Sequence, residues 1–563
     1  MIKICERDPV KIPGISSLFI SFNYDKDLVE KIKTLSPVFN FDKKTKEWEF
    51  PATSLSTLLD SLAVIDDIDL TIMENKPEIK VDYVFDEKQF KTQLFEHQKQ
   101  GIEFGMSGHD NWLLLDQPGL GKTLTTICIA QEMKRLRGIK HCLVVCGINS
   151  LKSNWKNEIN MHSDLSCKIL GEKISRNGNV SYGSIPDRLE QLQQPIDEFF
   201  VVLNIETLRS EDVVKELISG KHNDFDMIIM DEIHVCSSPT SQQAKGLLKL
   251  SKAKVKIGLT GSLLTNTPLS LYVPLKWIGV DKSTYTNFKY YYCIYGGLFN
   301  HDIIGFRNVN ILKDQLEHCS LRRTKDLLNL PPKTVINEYV DMNPKQYKFY
   351  NDIKKGIVED VTKVELDTNC VLSMLTRLRQ VTACPSMLTD EDIPSSKIER
   401  AVDLTEQICS DGKSKVVIFS TYKETVKKLE EALQDYKPLV CTGDTGEYLI
   451  NKYKEAFQND DIHKVFICTW QCMGTGHTLN RASTGIFIDT PWTSSDFIQA
   501  QDRLHRIGTK ENVFIYNLIC KYSVDERVAK IVSDKEAMSD YVVDGKMSPQ
   551  LMTKLKEIIL DLE

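Results

Sequence analysis

The sequence predicts an α/β chain of two parallel-sheet lobes with helical insertions, preceded by a small α+β domain. From about residue 94 to 275, short β-rich apolar runs (WLLLD, HCLVVC, FFVVLN, FDMIIMD, VKIGLT) alternate with helical patterns. That rhythm implies a parallel sheet covered by helices. It returns from about 413 to 520 in KVVIFS, KPLVC, KVFICT, TGIFID and VFIYNL. Length agrees, because 563 residues exceed what one core accommodates, and a prior of about 150 residues per domain gives three or four.

Taken in order, residues 1–82 form a separate accessory unit, with LFISFNY as a strand, KDLVEKIKTL as a helix and FNFDKKTKEWEF as a turn entering another strand. Residues 83–275 make the first lobe. Residues 276–395 lack the alternation and carry Tyr-rich and helical stretches, including NPKQYKFYNDIKKGIVEDV and VLSMLTRLRQ, so they read as a helical insertion and linker. Residues 396–535 make the second lobe. In the tail, 536–563, Leu551, Leu555, Ile558, Ile559 and Leu562 share one helical face.

Composition narrows the function classes. No segment approaches the roughly 18 apolar residues that span a bilayer. The N-terminus, MIKICERDPV, places charges where a secretory signal needs its apolar core, so a cytoplasmic protein without membrane association is expected. The 15 cysteines never form the C-x-x-C spacing of a zinc site, and Cys142, Cys146, Cys468 and Cys472 read as buried thiols. Lys plus Arg is 71 against 78 Asp plus Glu, a net charge of -7 that gives no global attraction for nucleic acid. A nucleic-acid site must be a local basic cleft.

The chemistry concentrates in three stretches. DQPGLGKT (116–123) follows an apolar strand and precedes a helix. A phosphate loop needs glycines that let backbone N–H groups close on oxygens, a lysine for the terminal phosphates and a hydroxyl for the metal. Gly119, Gly121, Lys122 and Thr123 supply these, although Asp116 stands where the general pattern has glycine. MIIMDEIH (227–234) ends an apolar strand in two carboxylates: Asp231 can hold magnesium through water, and Glu232 can polarise the attacking water. QAQDRLHRIG (499–508) spaces Arg503 and Arg506 as i and i+3, which places them on one face of a helix. They are either a surface salt-bridge pair or arginine fingers for a γ-phosphate. Nucleotide hydrolysis is the chemistry these stretches favour together.

The ordered set LFEHQKQGIEF (94–104), DQPGLGKT, LVVCGINSLKSNWKNEI (143–159), LNIETLR (203–209), DEIH, LTGSLLTN (259–266), LRRTKDLLNLPPK (321–333), LRQVTACP (378–385), KVVIFSTY (415–422) and QAQDRLHRIG resembles the Swi/Snf-related branch of superfamily-two helicases. The resemblance covers about residues 90 to 530 and implies two RecA-like lobes, ATP with magnesium as cofactors, and tracking along double-stranded or branched DNA. It implies adenine recognition by Gln98, phosphate and magnesium binding by Lys122 and Thr123, metal and water roles for Asp231 and Glu232, and lobe coupling by His234 and Gln499. Ser150, Thr207, Ser420 and Thr475 fall near positions where the family touches the nucleic-acid backbone. An acidic residue at Asp116 matches the family's usual D-E-x-G-x-G-K-T, whereas Gln117 replaces its glutamate. Thr260-Gly261-Ser262-Leu263 departs from the usual T-G-T-P, and Met473–Leu479 departs from G-G-x-G-L-N-L.

The stretch SFNYDKDLVEKIKTLSPVFNFDKKTKEWEFP (21–51) resembles the HepA-related (HARP) module of annealing helicases, which implies forked or branched DNA as substrate. Trp48 and the charged turn Asp42–Lys46 are either DNA contacts or a core residue and a solvated turn. The expectation is a monomeric phage or bacterial ATP-dependent DNA translocase acting in repair, recombination or fork remodelling by reannealing or branch migration. The rival readings are a strand-separating DNA or RNA helicase and an ATP-switched DNA clamp. Protein partners are not specified by the sequence.

Overall fold

The computed structural model describes the chain except for residues 1, 8, 13–15, 35–37, 55–67, 72–82, 148–149, 175–179, 262–266, 297–301, 364–367, 473–477, 493 and 534–563. The expected tail helix, Ser262, Leu263, Thr475 and the side chain of Ser150 therefore lie outside the described residues. The chain divides into two compact units, Met1–Gln117 with Gly121–Arg323 and Pro118–Leu120 with Thr324–Glu563.

The first unit begins with a five-stranded sheet in the order Asn40–Asp42, Glu47–Pro51, Ser17–Ser21, Ile2–Arg7, Ile68–Thr71. Its pairs are antiparallel except the last, which is parallel. The helix Lys26–Thr34 and the turn into Glu47–Pro51 lie where the sequence places them. The N-terminal strand was not anticipated. Its charges mask a two-residue alternation that buries Ile2 and Ile4 and exposes Lys3. Trp48 belongs to this small core, with Phe39 and Phe41 at ring distances of 5.6 and 4.7 Å. The turn is closed by the Lys46 N–H on the Asp42 carbonyl at 2.8 Å, and Lys46 takes a left-handed φ of +58°.

The main sheet of the first unit has the order Ser320–Leu321, Asn111–Leu114, Val255–Leu259, Met227–Asp231, Cys142–Cys146, Phe200–Asn204, Cys167–Ile169. Every pair is parallel. All five expected apolar runs are strands, and they are buried because helices cover both faces. Register matters most for function: Leu114 pairs with Leu259, and Leu259 with Asp231. The loop after Leu114, Thr260 and the DEIH acids thus leave the sheet along one carboxyl-end edge, where open α/β sheets bind ligands.

The second unit carries a parallel sheet in the order Lys333–Val340, Val513–Cys520, Thr484–Phe487, Val416–Ser420, Val465–Thr469, Leu439–Cys441. Here too the five expected runs are strands. The segment read as a helical linker, however, gives a strand to each sheet, Ser320–Leu321 and Lys333–Val340. Both are edge strands: the first is two residues long, and the second is half exposed, with no continuous apolar run to betray it. The expected helices of that segment are present at Pro344–Lys363 and Thr368–Ala383.

The described cysteines are free thiols; Cys142, Cys146 and Cys468 are buried and Cys472 partly so. Among the described residues, no helix is long and apolar enough to cross a membrane. Trp112 is fully buried and meets Phe104 edge-on at 4.9 Å. Replacing it with alanine is expected to destabilise the first unit by about 3–5 kcal/mol, read as an earlier urea midpoint for that unit's transition.

Candidate nucleotide site

The phosphate-loop region is fastened from beneath. Leu115 donates its N–H to the Leu321 carbonyl at 2.8 Å and Gln117 to the Arg323 carbonyl at 3.0 Å, which extends the edge pairing past Asn111–Leu114. This alignment aims Arg323 at Asp116. Its guanidinium makes a bidentate pair, Nε to Oδ1 at 2.9 Å and Nη2 to Oδ2 at 2.5 Å, and Nη1 donates to the His97 carbonyl. Both side chains are buried. A lone carboxylate or guanidinium here would cost several kcal/mol, so each residue requires the other. Gly101 makes room, since a Cβ there would lie 3.0 Å from Arg323 Nη2. Asp116, anomalous against the general loop pattern, is thus an anchor.

Beyond it, Gly119 and Gly121 adopt φ of +89° and +81°, which only glycine accepts without strain. Gly121 caps the helix Lys122–Arg137. A Cβ on Gly121 would come within 2.3 Å of Gln98 Nε2, so space as well as conformation demands glycine. The helix presents its first N–H groups and positive dipole end at the loop, a ready anion site. Lys122 Nζ donates to the Asp116 carbonyl at 2.8 Å, and Thr123 follows, half-buried. Gln98 is buried and accepts the Phe95 N–H at 3.0 Å, capping the helix Glu96–Met106.

At the next-but-one strand, Asp231 Oδ2 accepts from Trp155 Nε1 at 2.9 Å. Burial, and then the like charge of Glu232, push the Asp231 carboxyl up to about 6, while Trp155 and the Lys122 ammonium act in the opposite direction. Glu232 holds a left-handed φ of +52°, a strained conformation for a residue with a Cβ. Its Oε2 lies 3.2 Å from His234 Nδ1, and that nitrogen lies 2.9 Å from Thr260 Oγ1. Thr260 in turn donates its N–H to the Leu114 carbonyl at 3.1 Å. A continuous polar chain therefore joins the loop strand to Glu232. Thr123 and Asp231 offer oxygen donors only, the set that a hard cation such as magnesium takes.

In the second unit the helix Ser494–Gln501 contains Gln499, half-buried, but stops before the arginines. Arg503 and Arg506 lie in the turns that follow, which corrects the expectation of one helical face. The buried Asp502 ends the helical run, and Lys325 Nζ grips it at 2.6 Å while also donating to the His505 carbonyl at 2.8 Å. Lys333 Nζ donates to Gln501 Oε1 at 2.9 Å, and His505 Nε2 lies 2.8 Å from the Pro331 carbonyl. Thus Lys325–Lys333 braces the arginine turn. Helical spacing alone could not show that bracing.

The remaining expected contacts are internal where they are described. Thr207 is fully buried; its hydroxyl donates to Asn204 Oδ1 at 2.8 Å and accepts from Arg188 at 2.5 Å. Ser420 is also buried and donates to Asp489 Oδ2 at 2.6 Å. Sequence reasoning missed Trp155, Arg323, Lys325 and Asp502 as site-building residues. All four sit inside quoted motifs, yet their partners lie up to 226 positions away and only the fold pairs them.

A family model for the SNF2-related domain matches residues 97–387, and one for the helicase conserved C-terminal domain matches 396–508. The ISWI chromatin-remodeling complex ATPase of Saccharomyces cerevisiae is 26% identical over 478 residues, covering 80% of this chain and 40% of the relative. The DNA annealing helicase and endonuclease of Mus musculus is 25% identical over 478 residues, covering 81% and 41%. An uncharacterized ATP-dependent helicase of Mycoplasma pneumoniae is 23% identical over 463 residues, covering 79% and 42%. The chain spans about two-fifths of the length of these relatives. Among solved structures, the Sulfolobus solfataricus SWI2/SNF2 ATPase core in complex with dsDNA is 21% identical at a TM-score of 0.38, covering 85% of this chain and 99% of that one. With the SNF2-related match alone taking in just over half of its 563 residues, the chain belongs to the SNF2-related family of helicase-type ATPases.

Proposed function

We propose that the chain hydrolyses ATP and uses the cycle to translocate on double-stranded or branched DNA, in repair, recombination or fork remodelling by reannealing or branch migration. The observation that carries the hydrolytic part is the carboxyl-end edge of the sheet, where Asp231 and the Leu114–Thr260–His234–Glu232 chain stand beside the strand that leads into the glycine loop and Lys122. The DNA part is supported by the family and by relatives that carry the names of a chromatin-remodeling ATPase and a DNA annealing helicase.

In this reading the glycine loop, Lys122 and the helix N-terminus bind the phosphates, and Gln98 reads the adenine edge from its place against Gly121. Magnesium held by Thr123 and Asp231 would neutralise phosphate charge. Glu232, set by its backbone conformation and by His234, orients the attacking water and takes its proton at a carboxylate oxygen. Arg503 and Arg506 stabilise charge developing on the γ-phosphate. Thr260 and His234 pass the state of the loop strand to Glu232, and Gln499 contributes to coupling in the second unit. The backbone-contact roles of Ser150 and Thr475 belong to the same reading. For Thr207 and Ser420, buried hydroxyls favour an indirect role, shaping the loops that carry the contacts. The N-terminal sheet, with its exposed turn Asp42–Lys46, is the accessory module that selects branched substrates in the manner of a HARP domain.

Triplex displacement tests translocation: an ATP-driven motor evicts the third strand, whereas an ATP-switched clamp hydrolyses without evicting it. Lys122→Ala or Glu232→Gln is expected to lower ATP turnover by a factor of about 100 or more, and full DNA-stimulated turnover in Glu232→Gln would remove its catalytic role. Arg506→Ala is expected to lower kcat by about 1,000-fold with little effect on nucleotide binding; unchanged turnover would return it to a surface residue. Gly121→Ala forces a Cβ onto Gln98 and is expected to weaken nucleotide affinity about tenfold or more, measured by titration calorimetry with a non-hydrolysed ATP analogue.

A further inference from the structure

The stretch Leu321-Arg322-Arg323-Thr324-Lys325 has a physical arrangement that its sequence does not explain. Arg323 is the last residue of the first unit, and Lys325 lies one residue into the long segment Thr324–Glu563 that, with Pro118–Leu120, makes up the second. Each is the partner of a buried carboxylate that adjoins a candidate catalytic element. Arg323 holds Asp116 at 2.9 and 2.5 Å, directly before the glycine loop. Lys325 holds Asp502 at 2.6 Å and the His505 carbonyl at 2.8 Å, on either side of Arg503 and just before Arg506. The carboxylates are 1% and 4% exposed, so neither pair exchanges freely with water. Two residues of chain span at most about 7 Å, so the two anchors stay that close in main-chain terms whatever the units do.

We propose that Arg323 and Lys325 are positioning residues and that Arg323-Thr324-Lys325 is a short covalent link tying the setting of the phosphate loop to the setting of the arginine turn. A shift of Asp116 when the loop closes on phosphate pulls on Arg323 and, through one intervening residue, on Lys325 and the turn it grips. The inference rests on the proposed roles of the glycine loop and of Arg503 and Arg506. Lys325 never touches nucleotide in this scheme; it acts on the arginines through Asp502 and the His505 carbonyl.

The test uses the full chain and steady-state ATPase kinetics with saturating duplex DNA. Two glycines inserted between Thr324 and Lys325 leave both ion pairs intact but slacken the link. The expected result is a kcat at least about tenfold lower, with KM for ATP within about twofold of the parent, at an unchanged melting temperature. Lys325→Ala is expected to lower kcat similarly, and Lys325→Arg, which keeps a cation and its donors, to recover most of it. A glycine-insertion variant with the parent's kcat would overturn the link, and so would a Lys325→Arg variant no better than Lys325→Ala. Arg503→Ala and Arg506→Ala, measured alongside, separate the premise from the inference. If they keep full turnover, the finger roles fail and the link loses the turn it is said to set; if they lose turnover while the insertion variant keeps it, the link alone fails.

Discussion

The buried pair between Asp116 and Arg323 is the constraint on which the candidate site depends. It fixes the point where the first strand of the sheet becomes the glycine loop, and it does so through charges that water does not reach. Lys122 folds back onto the carbonyl of the same aspartate, so the residue that anchors the loop also receives the lysine that would meet phosphate. A glycine at this position, as in the general phosphate-loop pattern, would leave Arg323 with a buried unpaired charge. The family's acidic residue is therefore part of the loop's foundation.

From that anchor the rest of the first unit's chemistry follows by register. Parallel pairing brings the ends of three strands to one edge, and a chain of polar contacts runs from Leu114 through Thr260 and His234 to Glu232. Loop closure and the orientation of the candidate base are thus linked by atoms in contact, with no long-range effect required. The left-handed backbone at Glu232 sets the direction of its carboxylate, the kind of local strain that persists only when surroundings enforce it.

The legible parts of the sequence were those where a local pattern sufficed. Continuous apolar runs gave all ten expected lobe strands, because a strand buried on both faces leaves no polar alternation. Gly119, Gly121, Lys122, Asp231 and Glu232 stood out because their chemistry is encoded in short spacing. Three kinds of feature were not legible. Edge strands such as Lys333–Val340 pack on one side and half expose the other, so they lack the apolar run. Ile2–Arg7 hid its alternation among charges. The end of the helix at Gln501 is set by Asp502 pairing with Lys325, far away in sequence, so periodicity carried the helix too far. Thr207 and Ser420 show the same limit from the other side: a hydroxyl's position in a motif does not tell whether it faces solvent or an internal partner.

Substrate choice is where translocation on DNA is most open to disproof. The direct measurement is ATP hydrolysis by the full chain with double-stranded, single-stranded and forked DNA and with single-stranded RNA, compared side by side at equal nucleotide concentration and fixed salt. A duplex-tracking motor is stimulated strongly by duplex DNA, equally or more by forked DNA, and weakly by single strands. Stimulation by single-stranded RNA alone would contradict it.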